Sequence, residues 1–111
     1  MKLLAHYTIF GNEIFNLHTF EIENDIISHT KAIEETAHTA FVQGILIIAG
    51  NTKTNDIDKL NNLIAENKDA DLRTLSEKIA KFIKDNGLYY TPNSKVTILT
   101  ASYPDFLISL I

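Results

Sequence analysis

The chain has 111 residues, 45% of them apolar, with a formal net charge of −4 and no cysteine. That length supports one domain around one core, and the apolar share excludes a wholly disordered chain. The absence of cysteine excludes disulfides, a thiolate metal site and a cysteine nucleophile, while the acidic balance, without a Lys/Arg stripe, opposes binding to a phosphate backbone.

The first apolar stretch is interrupted by His6 and by Gly11-Asn12-Glu13 before a signal-peptide core can form. The apolar runs at 45–49 and 106–108 are too short to span a bilayer. The expectation is a soluble, cytoplasmic protein with neither a membrane nor a nucleic acid as partner.

Residues 3–10 and 13–23 are predicted to pair as a β-hairpin, because Gly11-Asn12 supplies a two-residue loop that tolerates positive φ. In that register Ala5 falls opposite His18, and His6 opposite Leu17. Leu3, Ala5, Tyr7 and Ile9 share one face of the first strand, and Leu4, His6, Thr8 and Phe10 the other. Apolar residues on both faces predict a sheet covered on both sides near this turn. Asn24-Asp25 marks a second turn, followed by a short strand at 26–30. Residues 31–38 fit either a helical turn or a polar loop, and 41–48, β-branched and nearly free of charge, read as a buried strand.

Gly50-Asn51-Thr52-Lys53-Thr54 is loop chemistry, and beyond it the apolar period becomes helical. Ile57, Leu60, Leu63 and Ile64 define a first helix with Asn55 as its N-cap. After a break at 67–70, Leu72, Leu75, Ile79, Phe82 and Ile83 define a second. Thr74-Leu75-Ser76-Glu77 matches a capping box, Asp71 offers a cap one turn earlier, and Gly87 suits the C′ position. Residues 88–90, 95–101 and 105–111 read as strands separated by Pro92-Asn93 and Tyr103-Pro104. The order is strands over 1–50, a helical insertion over 54–86 and closing strands over 88–111, an α+β plan. The predicted architecture is a β-sandwich or half-open barrel built from the N- and C-terminal strands, with an inserted helical hairpin.

Residues 1–20, the acidic turn and strand at 21–28, and the strand at 41–48 ending Ile47-Ile48-Ala49-Gly50 together resemble the composite domain of metal-dependent amidohydrolases. Tyr103-Pro104-Asp105-Phe106-Leu107-Ile108 is faintly similar to that family's closing strand. The resemblance implies a small sandwich made from both chain ends, with a metal-bearing barrel inserted between them. Here the family's His-x-His is absent, and no histidine follows His38. A helical pair of about 30 residues stands where a barrel of about 250 is expected. No functional residue of the family carries over.

His6, His18, His29 and His38 all lie in the first half of the chain. Hydrolytic zinc needs three converging ligands, and no two histidines here are spaced as His-x-His or His-x-x-x-His. His18 and His38 are the metal candidates, but the expectation is no metal and no other cofactor. The adjacent carboxylates Glu34-Glu35 read as a solvated face, and the neighbours Ser28-His29 and His38-Thr39 are not a catalytic geometry. Gly44 and Gly50 lack the spacing of a phosphate loop. A helix-turn-helix reading fails because Asp56, Asp58, Glu66, Asp69, Asp71, Glu77 and Asp85 more than cancel Arg73, Lys78, Lys81 and Lys84.

Tyr89 and Tyr90, as strand neighbours, point to opposite faces, so only one is easily buried. The apolar end Leu110-Ile111 must be covered by its own sheet or by a partner. Phe82, Tyr89, Tyr90 and Phe106 are the predicted ligand or partner contacts. The expected function is a non-catalytic domain acting through contact with another protein, most simply as a homo-oligomer. The alternatives are a small metal-dependent hydrolase using the histidines, or a small-ligand module with a cleft around Tyr89 and Phe82.

Overall fold

The computed structural model describes residues 1–31 and 38–111. The Glu34-Glu35 pair, and most of the segment that fits either a helical turn or a loop, lie outside the described residues. In chain order the elements are β1 (Lys2–Phe10), β2 (Glu13–Asn16), β3 (His18–Glu23), β4 (Ile26–Lys31), β5 (Thr39–Gly50), α1 (Thr54–Glu66), α2 (Leu72–Asp85), β6 (Val96–Ser102) and β7 (Ile108–Leu110). The seven strands form one mixed sheet in the order β4-β3-β1-β5-β6-β7, with β2 pairing to the edge of β1 that β3 also uses. Among the described strands only β1 and β5 pair in parallel. Both chain ends therefore enter a common sheet, the helices are inserted between β5 and β6, and the fold is α+β. The strands make one sheet rather than the two of a sandwich, and it is not closed into a barrel.

The first hairpin has the predicted register, from Phe10 opposite Glu13 to Lys2 opposite Glu21. Its second strand, however, is cut in two at Leu17, which adopts φ 53°. The Leu17 amide donates to the His6 carbonyl at 3.1 Å, and Asn16 Nδ2 donates to the same oxygen at 2.9 Å. On the other side of β1, Ala5 faces Val42 but Tyr7 faces Ile45. Gln43 and Gly44 together oppose His6, a β-bulge that bends the strand and increases its twist.

The sheet folds at this line. A flat strand would separate Leu3 from Phe10 by about 23 Å. Phe20 pairs with Leu3, yet its ring lies 5.5 Å from that of Phe10. The first halves of β1 and β5, with β3 and β4, thus lie back across the second halves. This creates two cores. On the helix side, Ile9, Ile45, Ile47, Leu99 and Ala101 pack against Leu60, Ile64, Leu75, Ile79 and Ile83. On the other side, Leu3, Ala5, Phe20 and Val42 pack with Leu46 and Ile48. Leu3 and Ala5 belong to the second core and Tyr7 and Ile9 to the first, so the four residues expected on one face of β1 are divided between the two cores at the fold.

The α1 cap differs from the predicted Asn55. The helix begins at Thr54 behind Lys53, because the Asp56 carboxylate reaches back to accept the Lys53 amide at 2.9 Å. In α2 the earlier of the two candidate caps is used: Asp71 Oδ1 accepts from the Thr74 amide at 2.7 Å. Those hydrogen bonds from Thr74 hold the Asp71 carboxyl below the usual aspartate value of 3.8. A lowered folded value means that the cap stabilises fully above the unfolded value and is lost as pH falls through the folded one. Asp71→Asn, which keeps a cap oxygen but cannot ionise, is expected to melt near wild type at pH 7. It should also lose less of its melting temperature than wild type between pH 5 and pH 2, a comparison readable by thermal circular dichroism.

At the far end of α2, Gly87 takes φ 65°. Its amide bonds to Lys84 and the Leu88 amide to Ile83, a Schellman closure that satisfies orphan carbonyls. Residues 88–90 then make a single bridge, Tyr89 to Ala49, instead of a strand. The predicted closing strand shortens to β7 because Phe106 before it takes a left-handed conformation (φ 57°).

Candidate functional site

A cleft lies where the α1–α2 turn meets the β6–β7 loop. It encloses about 380 Å³. Ile64 and Ala65 come from the end of α1, Leu72 and Leu75 from the start of α2, and Phe106 and Leu107 from the loop. Lys68 and Asp105 bring the only charges among the residues that line it. The loop is anchored at several points. The Phe106 amide donates to the Ser102 carbonyl at 2.8 Å, and Asp105 Oδ1 accepts the Leu107 amide at 3.0 Å. Asn61 Oδ1 accepts the Ile108 amide at 2.8 Å, tying α1 to the edge of the sheet. An adjoining hollow of about 340 Å³, lined by His6, Gln43, Leu72, Tyr103 and Phe106, shares Leu72 and Phe106 with the first.

Around this corner the surface is apolar. Tyr103, Leu107, Leu110 and Ile111 are 68%, 51%, 64% and 57% exposed. β7 is the last strand of the sheet, so one of its edges is open. The Ile111 amide bonds inward to Ile98, which by antiparallel alternation turns the Ile108 and Leu110 amides outward. Asn61 takes the first of these, and the second faces the open edge.

The predicted contact residues do not share one site. Phe106 lines the cleft. Phe82 and Tyr89 are half-buried against the helix-side core, towards the other end of α2. Tyr90 is half-buried on the opposite face, stacked on Phe10 at 5.5 Å, with its hydroxyl 3.5 Å from the Asp25 carbonyl. The two tyrosines point to opposite faces as expected, but each is half covered. The sheet's fold-back shelters Tyr90 where a flat sheet would leave it in solvent.

His18 and His38 are not brought together. His38 precedes Thr39, which pairs with Lys2 at the start of β1, whereas His18 lies beyond the Leu4–Thr19 pair. His18 instead lies against His29, with their Nδ1 atoms 3.4 Å apart. His6 sits edge-on to Phe41 at 5.2 Å, and its Nδ1 is buried without a hydrogen bond among the described residues. Among the described residues no group of three or more His, Asp or Glu is placed to hold a metal. No helix of the described residues is long and apolar enough to cross a membrane.

Leu110 was marked in the sequence as part of an apolar end, but its company with the α1–α2 turn was not. Only the long-range tie between Asn61 and Ile108 brings them together. Comparison with known proteins returns no matching family model, no matching curated protein and no matching solved structure.

Proposed function

We propose that this is a non-catalytic cytoplasmic domain acting through protein–protein contact, most simply by pairing with a second copy of itself. The observation that carries the reading is the apolar corner of Tyr103, Leu107, Leu110 and Ile111 beside an open sheet edge. A patch of this kind, bordering unpaired strand groups, is the usual mark of an interaction surface. A second copy fits it by symmetry. Two β7 strands running antiparallel about a two-fold axis at Leu110 exchange both outward hydrogen bonds of that residue. The Ile108 amide, already held by Asn61, needs no new partner. Both apolar rims are then covered together.

The sheet built from both chain ends, folded back on itself, supports the half-open barrel of the amidohydrolase composite domain as the ancestry of this chain. In that reading the plain helical pair replaces the catalytic barrel, and the contact surface is what remains to act.

Gel filtration with light scattering over a dilution series tests the proposal. The expected result is a dimer mass that falls towards the monomer on dilution. Leu110→Lys, with unchanged circular dichroism, is expected to be monomeric at every concentration, because it places two cations at the symmetry axis. A wild-type chain that stays monomeric at the highest concentration overturns the reading.

A further inference from the structure

We infer that His18 and His29 form a cross-strand binding site for a divalent transition metal of the zinc class, at the β3–β4 edge and away from the proposed contact corner. The register of these strands pairs Phe20 with His29 and His18 with Lys31. His18 and His29 are therefore diagonal neighbours on one face, the side-chain pair of a twisted hairpin that can meet. Their Nδ1 atoms are 3.4 Å apart. A tetrahedral zinc ion with bonds of about 2.0–2.1 Å to two imidazoles holds the nitrogens about 3.3–3.4 Å apart. A hydrogen bond with one ring donating prefers about 2.9–3.0 Å. The observed spacing matches the bite of a tetrahedral metal and is long for a hydrogen bond.

The rings are also positioned in advance. His29 lies stacked on Phe20 at 5.0 Å and 4.5 Å from Phe15, and Phe15 is 5.0 Å from His18. Phe20 is fully buried, so the platform beneath His29 is fixed by the core. His29 is exposed and His18 half-exposed, which leaves the edge open to an incoming ion. Imidazole pairs suit zinc, copper and nickel rather than magnesium or calcium. The two imidazoles supply two of the ion's four positions, so binding is expected to be reversible.

The test is calorimetric titration of the whole chain with zinc ion alone, read beside imidazole nitrogen shifts in the magnetic resonance spectrum. One ion per chain is expected, with the His18 and His29 nitrogens moving and those of His38 not. His29→Phe, which keeps the ring packing, and His18→Asn are each expected to weaken binding about tenfold or more, with melting temperatures near wild type without metal. His38→Ala should bind as wild type does. The absence of saturable binding at millimolar zinc overturns the inference. So does His29→Phe binding unchanged, or zinc shifting a histidine pair other than His18 and His29. None of these outcomes depends on the oligomeric state.

Discussion

Gly44→Ala is expected to cost about 2–6 kcal/mol, the sum of a strained backbone angle and an overpacked neighbour. Gly44 occupies the bulge of β5 with φ +156°, facing Ser102 of β6. A Cβ built there strikes the carbonyl oxygen of Ala101 and comes within 3.2 Å of the Phe106 ring. Neither neighbour can yield cheaply. Ala101 is fully buried and its strand is clamped between β5 and β7. Phe106 is fixed by its amide bond to Ser102 and by the cleft it lines. Gly11→Ala is the matched control. Gly11 also has positive φ, but a Cβ there meets nothing within 4 Å. Only the backbone term of about 1–2 kcal/mol applies. Urea unfolding of the two variants should separate them clearly. A Gly44→Ala protein as stable as Gly11→Ala would show that β5 and β6 do not close over the bulge as described.

The bulge also marks the limit of what local pattern can reveal. The first hairpin was legible because Gly11-Asn12 dictates both its turn and its register. The helices were legible because Leu72, Leu75, Ile79 and Ile83 repeat at helical spacing and Gly87 closes the run. Nothing local announces that Leu17 takes positive φ, or that Gln43 and Gly44 oppose one residue of β1. Those features answer a bend in the whole sheet. The apolar residues on both faces of β1 predicted a sheet covered on both sides, and it is, but local pattern does not reveal that the cover on one side is the sheet itself. The parallel pairing of β1 with β5 is equally hidden, since the two strands are distant in sequence. At the candidate sites, Phe106 was accessible as an apolar residue near the chain end, but its cleft needed the α1–β7 tie. The His18–His29 pair lay closer to hand. Continuing the two-residue turn at Asn24-Asp25 places Phe20 opposite His29 by counting alone, with His18 on the next diagonal.

Phe20→Ala is expected to cost about 3–5 kcal/mol, as much as a large truncation in any protein core. Phe20 is 0% exposed although neither α1 nor α2 packs on its core. Its cover is Phe10, Phe15 and His29, together with the strands that fold back across it. Truncation leaves a cavity between two halves of one sheet, and neither half can collapse into it while Leu17 and the Gly44 bulge fix the angle between them. The natural comparison is Ile79→Ala on the helix side, where a fully buried residue of α2 should lose about 2–5 kcal/mol. Similar losses would establish two cores of comparable weight, separated by the sheet. A loss below about 1 kcal/mol for Phe20→Ala is what an exposed surface gives, and it would mean that the halves do not pack. Phe20→Leu should fall between the two, because it retains much of the volume but not the ring beneath His29. Any loss of zinc affinity in Phe20→Leu would then follow from the removed platform, since both imidazoles are intact.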